Sequence, residues 1–148
     1  MDTSDRERLL TEARTWINTP YHHKGRVKGV GVDCGGLLYE VYKTQFTLKP
    51  YPAIYDMDWS LHRSDELYLD FIREYIRETS DPGPADIVVF QIGRCYSHGG
   101  ILTNTGRVIH AWGHQANGMV MESPGRFFQL AGRPRPRKYF KVTKNDHG

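Results

Sequence analysis

The 148-residue sequence lacks the features that mark several large classes of protein. Its two cysteines, Cys34 and Cys95, are too few for the disulfide framework of a small secreted protein. No apolar run approaches the ~20 residues of a membrane-spanning helix, so we expect no membrane insertion. The N-terminal ten residues are charged from the second position and lack an apolar signal region, which predicts cytoplasmic synthesis without a signal peptide.

Charge of one sign does not dominate the sequence either. Lysine and arginine number 20 against 17 aspartates and glutamates, which gives a formal net charge of +3. So small a surplus does not indicate nucleic-acid binding, and we expect no nucleic-acid partner. Repeats are also absent, and the apolar fraction of 39% is typical of a globular domain. We therefore predict one domain over residues 1–148.

Hydrophobic spacing predicts helices in the N-terminal half of the chain. A capping box over residues 4–7 predicts the start of a first helix, whose apolar stripe extends over residues 9–17. A second helix is predicted to begin at about Cys34. A third is predicted to be capped by Ser64 and to present an apolar face as far as Ile76. Between the first two helices, the segment up to residue 33 has no periodicity and is predicted to form a loop.

From residue 87 onward the spacing changes to the alternation of β-strands. Strands are predicted over residues 87–90, 99–103, 107–112, 119–122 and 138–142. The turn Asn104-Thr105-Gly106 predicts a hairpin between the second and third of them. Helices followed by antiparallel strands predict an α+β fold, with the helices packed on one face of the sheet.

Cys34 has the surroundings of a catalytic nucleophile. It follows Asp33, which we expect to cap the helix, and it precedes Gly35 and Gly36. Backbone amides at a helix N-terminus stabilise a thiolate, so the position predicts a lowered thiol pKa. Two glycines at a helix start indicate that another stretch of backbone approaches closely. The alternative is a buried cysteine that packs as a small apolar residue.

Two histidines, His98 and His110, lie on the neighbouring strands of the predicted hairpin. Counting across the turn places them near opposite positions, where Cβ atoms on one sheet face are ~4.5–5.5 Å apart. A thiol, a histidine base and a second ring that orients the base form the arrangement of nucleophilic cysteine catalysis. This hypothesis requires the sulfur at the helix start to meet both rings. Taken singly, each histidine has the simpler interpretation of a packed or surface imidazole.

Five motifs in this order resemble the NlpC-type cysteine peptidases, a papain-like family that cuts bacterial cell-wall peptides. The motifs are Thr19-Pro20-Tyr21, Asp33-Cys34-Gly35-Gly36-Leu37, Pro84-Ala85-Asp86-Ile87-Val88-Val89-Phe90, His98-Gly99-Gly100-Ile101 and Val108-Ile109-His110-Ala111. The resemblance implies the papain-like NlpC-type fold, with N-terminal helices packed on a central antiparallel sheet. The stretch leading to Cys34 looks most like members encoded by phages and gene-transfer-agent clusters, which are tail-associated wall hydrolases.

The resemblance also implies roles for the matched residues. Cys34 would be the nucleophile, His98 the general base and then acid, and His110 the residue that orients His98. Tyr21 would direct its hydroxyl at the site and, with the Cys34 amide, donate to the oxyanion. The implied substrate is a peptidoglycan stem peptide, cut between γ-D-glutamate and a diamino acid. No cofactor and no metal are implied.

Residues around these groups are predicted to contact the substrate: Asp33, Gly35, Lys28 and Trp112. Gly35 stands where the family usually has serine, so a hydroxyl contact is lost. Lys28 belongs to a basic stretch that would attract the free carboxylates of stem peptides, and Trp112 would line the groove. The implied partners besides peptidoglycan are phage tail proteins, with incorporation into a phage or phage-like tail particle as the route to the wall.

Several alternatives stay open on the sequence. A thiol acyltransferase or amidase on the same fold would carry the same three residues, because exclusion of water rather than the nucleophile decides the outcome. A catalytically silent phage tail assembly protein would keep the fold alone. A metal site is disfavoured because His-Glu-x-x-His and paired Cys-x-x-Cys spacings do not occur. A disulfide between Cys34 and Cys95 would block the nucleophile, and we expect two separate thiols.

Overall fold

The computed structural model describes residues 1–50, 65–92, 95–113 and 116–144, except the side chains of residues 65–68 and of Cys95. The helices are α1 (Thr3–Arg14), α2 (Cys34–Tyr42) and two 3₁₀-helices (Asp65–Tyr75 and Gly125–Phe127). The strands are β1 (Arg26–Val27), β2 (Gly31–Val32), β3 (Ile76–Thr79), β4 (Ile87–Ile92), β5 (Cys95–Leu102), β6 (Val108–Ala111), β7 (Val120–Ser123), β8 (Gln129–Leu130), β9 (Arg133–Pro134) and β10 (Arg137–Val142). Within these ranges, none of the helices combines the length and the hydrophobicity needed to cross a membrane.

Six of the strands form one antiparallel sheet in the order β3-β10-β4-β5-β6-β7. The predicted hairpin joins β5 to β6, and its turn places Gly106 at φ 77°, a left-handed conformation that suits glycine. All five predicted strands are strands of this sheet. The predicted α+β class, with helices on an antiparallel sheet, is confirmed.

Alternation along the strands separates two apolar clusters, one on each face of the sheet. The larger cluster packs against α1 and α2 and includes from the sheet Ile87, Val89, Ile101, Ile109, Ala111 and Val120. The smaller cluster lies on the other face and consists of Val88, Phe90, Val108 and Phe128. Leu37, Leu38 and Val41 of α2 are fully buried in the larger cluster. This burial fixes α2 on the sheet and so fixes the position of its first residue, Cys34.

A buried carboxylate ties α1 to the centre of the sheet. Asp86, which precedes β4 and is 0% exposed, forms ion pairs with Arg6 of α1 at 2.9 Å and with Lys141 of β10 at 3.3 Å. Its two oxygens also accept hydrogen bonds from the amides of Gly83 and Val142. Removing one partner of such a group leaves a buried charge unpaired, which typically costs about 3–5 kcal/mol of stability.

The start of α1 differs from the prediction by two residues. Asp2, rather than Ser4, is the N-cap, and its carboxylate accepts a hydrogen bond from the amide of Asp5 at 2.8 Å. The Asp5 side chain accepts one from the Asp2 amide in return. Two aspartates therefore form the capping box, because a short carboxylate at this spacing reaches the free amides as well as serine and glutamate do.

Three further segments differ from the prediction. The third helix is a 3₁₀-helix that ends at Tyr75, and Ile76 begins β3 because it pairs with Val142 of β10. Its predicted cap, Ser64, lies outside the described residues. The predicted loop before Asp33 contains the hairpin β1–β2, and β8–β9 forms a second small hairpin. Strands of two residues are too short to show alternation in a sequence.

Candidate active site

Cys34 is the first residue of α2, and its position is set by the cap of that helix. As predicted, Asp33 is the N-cap, and its Oδ1 accepts a hydrogen bond from the amide of Gly36 at 2.7 Å. Asp33 Oδ2 accepts a second one from the amide of Lys24 at 2.9 Å. A Cβ on Gly36 would lie 2.5 Å from the carbonyl oxygen of Gly25, so the expected close approach of backbone occurs here. One carboxylate thus fixes both the helix start and the loop before it.

The sulfur of Cys34 faces strand β5 where that strand has separated from β6. Sγ lies 3.9 Å from the carbonyl oxygen of Ser97, and a backbone hydrogen bond from Gly99 also reaches the thiol. Pairing between β5 and β6 extends only to Ile101, and Ser97 has no partner on β4, so it forms a β-bulge. The sulfur therefore lies beside the β5 backbone on both sides of His98.

His98 and His110 form a buried, hydrogen-bonded pair. Nε2 of His98 lies 2.9 Å from Nδ1 of His110, with the ring planes at 82°. His98 is 4% exposed and His110 is 0% exposed. Because Ile101 pairs with Ile109, the two histidines are diagonal neighbours rather than directly opposite ones. Diagonal neighbours on one face are still within reach of ring side chains.

Both rings belong to the sheet face opposite to the helices. His98 pairs with Phe90 of the smaller cluster, and the ring of Phe128 lies 4.7 Å from that of His110 between centroids. Cys34, whose sulfur contacts β5, is the first residue of α2, and that helix packs on the other face of the sheet. The thiol and the His98 ring therefore both lie at the same short segment of β5, at the bulge beyond the last residue that pairs with β6.

Ser123 of β7 extends the pair into a chain of three groups. Its Oγ lies 2.9 Å from Nε2 of His110, and the residue is 4% exposed. Sequence analysis missed Ser123, although alternation along its strand carries the signal. Val108 pairs with Ser123 and His110 with Met121, so Ser123 lies on the same sheet face as His110, one diagonal away.

Tyr21 lies between β2 and the segment that follows β6. Its amide donates to the carbonyl of Gly118 at 2.8 Å, and its backbone forms an isolated bridge with Val32. A Cβ on Gly113 would lie 2.6 Å from three atoms of the Tyr21 ring, so this glycine makes room for the ring. Burial raises the pKa of Tyr21, and negative charge at Cys34 raises it further. The phenol is therefore a neutral hydroxyl that interacts electrostatically with the thiol position.

The electrostatics of the thiol differ from the expectation. Burial raises the pKa of Cys34 to about 12, and the Asp33 carboxylate adds to the shift. Backbone hydrogen bonds from Gly99, Gly35 and Cys34 itself lower the thiol pKa, as a helix start should, but they are outweighed. The predicted lowered thiol pKa is therefore wrong, because sequence shows the helix start and not the burial. The resting thiol is protonated at neutral pH.

Burial also keeps the second imidazole neutral. It lowers the pKa of His110 to about 3, far below the ordinary value of histidine. A neutral imidazole has one donor nitrogen and one acceptor nitrogen. His110 therefore donates to one of its two partners, His98 and Ser123, and accepts from the other.

The residues predicted to contact substrate take different positions. Trp112 is half-buried, and its ring lies 5.0 Å from that of His98. Lys28 instead pairs with Glu12 of α1 at 3.0 Å, at the surface of the molecule. Gly35 is buried in the first turn of α2. Trp112 is thus beside the histidines, whereas Lys28 is bound to α1.

In the described part of the chain, no group of three or more His, Cys, Asp or Glu side chains is arranged to hold a metal ion. Cys34 is a free thiol there, and the side chain of Cys95 lies outside the described residues.

Comparisons with known proteins identify the family and the fold. Residues 18–129 match the NlpC/P60 family. The NlpC/p60 domain of the peptidoglycan hydrolase SagA is similar in structure, with 18% identity and a TM-score of 0.59 over 94% of this chain and 98% of that one. No curated protein matches the chain in sequence.

Two longer proteins are also similar in structure. One is an NLP/P60-family protein described as similar to lipoprotein, from Staphylococcus aureus subsp. aureus Mu50 (19% identity, TM-score 0.62, 98% of this chain and 43% of that one). The other is NlpC1 from Trichomonas vaginalis (19% identity, TM-score 0.64, 96% of this chain and 45% of that one). The chain thus spans less than half of each. These structures confirm the expected NlpC-type fold.

Proposed function

Because the chain belongs to the NlpC/P60 family, we propose that it is a cysteine peptidase that hydrolyses peptide bonds of bacterial peptidoglycan. SagA, whose domain it resembles, is a peptidoglycan hydrolase. One observation carries the proposal. The Cys34 sulfur lies against the β5 backbone on both sides of His98, and the His98 ring is hydrogen-bonded to His110.

The proposed reaction begins from a protonated thiol. Nε2 of His98 is hydrogen-bonded to His110. We therefore assign Nδ1 of His98 as the atom that takes the proton from Cys34 as Sγ attacks the carbonyl carbon. A bond forms between Sγ and that carbon, and the carbonyl becomes a tetrahedral oxyanion. His98 then gives its proton to the leaving amine, which departs and leaves a thioester on Cys34.

Hydrolysis of the thioester uses the same base. His98 takes a proton from water, and the resulting hydroxide attacks the thioester carbon. The Cys34 thiolate is then displaced, and the product is a carboxylic acid. The proton returns from His98 to the sulfur, which restores the resting thiol. A thiol whose pKa is about 12 needs such a base, because very little thiolate exists at neutral pH.

Two groups are candidates to stabilise the oxyanion. The amide of Cys34 lies in the first turn of α2, where backbone donors have no partner within the helix. The Tyr21 hydroxyl is neutral, since its pKa is raised, and it interacts electrostatically with Cys34. We assign both as donors to the oxyanion. One such donor typically contributes a factor of about 10²–10³ to kcat.

The side of the site beside the histidines is aromatic. Phe127, which sequence analysis missed, lies 5.2 Å from the Trp112 ring and 5.3 Å from the His110 ring between centroids, and it is 38% exposed. We propose that Trp112 and Phe127 form a wall along which the stem peptide lies. The motif resemblance supports the bond between γ-D-glutamate and the diamino acid as the one cut. We leave Lys28 out of this site because its side chain is paired with Glu12 of α1.

The test is mass spectrometry of purified peptidoglycan after digestion by the whole chain. New termini between glutamate and the diamino acid support the proposal if they are lost in Cys34→Ala and after iodoacetamide. Cys95→Ala should stay sensitive to iodoacetamide, which assigns the inhibition to Cys34. Products joined to an added amine instead of water would indicate an acyltransferase. No product, from a chain with a native circular dichroism spectrum, would overturn the enzyme assignment.

A further inference from the structure

The hydrogen-bond chain from His98 through His110 ends on a hydroxyl whose role the proposed reaction leaves undefined. The atoms follow one another as His98 Nε2 to His110 Nδ1, then His110 Nε2 to Ser123 Oγ, each step at 2.9 Å. All three residues are at most 4% exposed, so solvent offers these groups little alternative hydrogen bonding. They come from three consecutive strands, β5, β6 and β7, which fix their spacing.

We propose that Ser123 is a positioning residue that selects the tautomer of His98 by accepting a hydrogen bond from His110. This inference rests on the proposed function. If Nδ1 of His98 is the base, its proton must reside on Nε2, which then donates to Nδ1 of His110. His110 then carries its own proton on Nε2, and Ser123 Oγ is the acceptor placed to receive it.

Loss of the Ser123 hydroxyl reverses which tautomer is favoured, first in His110 and then in His98. Without Ser123 Oγ, a proton on His110 Nε2 would be a buried donor without a partner, which is strongly unfavourable. Moving that proton to Nδ1 removes the unpartnered donor and keeps the hydrogen bond between the two rings, now donated by His110 to Nε2 of His98. The His98 proton must then occupy Nδ1, where it blocks acceptance of the thiol proton. A wrong tautomer of this kind leaves binding intact and lowers turnover.

The direct test reads protonation at the ring nitrogens without any substrate. Long-range ¹H–¹⁵N correlation NMR of the ¹⁵N-labelled full chain at pH 7 distinguishes the two neutral tautomers, with His110 signals assigned by their loss in His110→Asn. We expect the His110 proton on Nε2 in the wild type and on Nδ1 in Ser123→Ala. A wild-type proton on Nδ1, or the same tautomer in both proteins, overturns the inference. The wild-type spectrum decides even if the variant does not fold.

Kinetics provide the second readout. Ser123→Ala should lower kcat about tenfold, the effect typical of one lost hydrogen bond, with KM unchanged. Ser123→Thr, which keeps a hydroxyl, should recover most of kcat, and Ser80→Ala, at an exposed position, should match the wild type. Full kcat in Ser123→Ala would overturn the inference. An inactive wild type would instead overturn the proposed function, and the NMR result would still decide the tautomer.

Discussion

The carboxylate of Asp33, which caps helix α2, also raises the pKa of the adjacent Cys34 thiol. The same side chain therefore holds the nucleophile in place and makes it less acidic. Burial contributes more to the shift than Asp33 does. A thiol of this kind is protected from adventitious reaction when no substrate or base engages it, because the thiolate is the reactive form.

Alkylation of Cys34 by iodoacetamide should follow this raised pKa. Below a pKa of about 12, the thiolate fraction grows about tenfold per pH unit, so the alkylation rate should rise continuously from pH 7 to pH 10. Peptide mapping by mass spectrometry reads Cys34 separately from Cys95. A rate that is already constant at pH 7 would contradict the prediction and indicate a thiolate paired with a protonated His98.

Asp33→Asn should increase the alkylation rate several-fold at pH 8. The amide side chain keeps one oxygen that accepts from the Gly36 amide, so the helix cap is retained. It loses the acceptor for the Lys24 amide, together with the negative charge that raises the thiol pKa. Asp81→Asn, which removes an exposed carboxylate after β3, is the matched control and should leave the rate unchanged. A rate in Asp33→Asn equal to the wild-type rate would show that burial alone sets the thiol pKa.

Tyr21→Phe and Gly113→Ala should both lower kcat, for related reasons. Tyr21→Phe removes the proposed oxyanion donor, so kcat should fall about 10²–10³-fold with little change in KM. Gly113→Ala places a Cβ 2.6 Å from the Tyr21 ring, so the ring must move and kcat should fall by a similar factor. Gly125→Ala, whose Cβ meets nothing within 4 Å, should match the wild type. Steady-state kinetics on a stem peptide measure these effects. A Tyr21→Phe variant with wild-type kcat would show that Tyr21 is not an oxyanion donor.

Features that depend on short stretches of sequence were predictable. The start of α2 at Cys34, its Asp33 cap and the β5–β6 turn each follow from a few neighbouring residues. The close approach at Gly36 was predicted for the same reason, since a glycine at a helix start has a local cost that some contact must offset. The tail-associated role and the domain span of residues 1–148 stay predictions.

Features that depend on tertiary packing were not predictable from the chain alone. The sign of the Cys34 pKa shift depends on burial, which no neighbouring residue reveals. The contact between His110 and Ser123 depends on the register between β6 and β7, and counting across the β5–β6 turn, which brought His98 and His110 together, does not fix it. The ion pair of Lys28 with Glu12 was also not predicted, because the two residues belong to different elements. Neighbouring residues in the sequence were therefore enough to predict the candidate reactive groups. The hydrogen bonds between those groups depend on strand register, which the sequence did not reveal.

The pH dependence of stability should reveal the buried neutral imidazole. In the folded state the pKa of His110 is about 3, whereas in the unfolded chain it is about 6.5. Below pH 6.5 the unfolded state binds a proton that the folded state does not, so the free energy of unfolding must decrease as the pH falls from 6.5 towards 3. The limiting slope is about 1.4 kcal/mol per pH unit, and the effect is absent above pH 6.5.

Urea unfolding of wild type and His110→Gln between pH 4 and pH 7.5 isolates this contribution, because all other titrating groups are common to both proteins. The difference between their free energies of unfolding should change by roughly 3 kcal/mol across that range, with the wild type losing more at low pH. Parallel curves would mean that His110 is protonated as readily folded as unfolded. Below pH 6.5 such a protonated His110 would donate from both ring nitrogens, which would fix the His98 proton on Nδ1 and prevent His98 from acting as the base for Cys34.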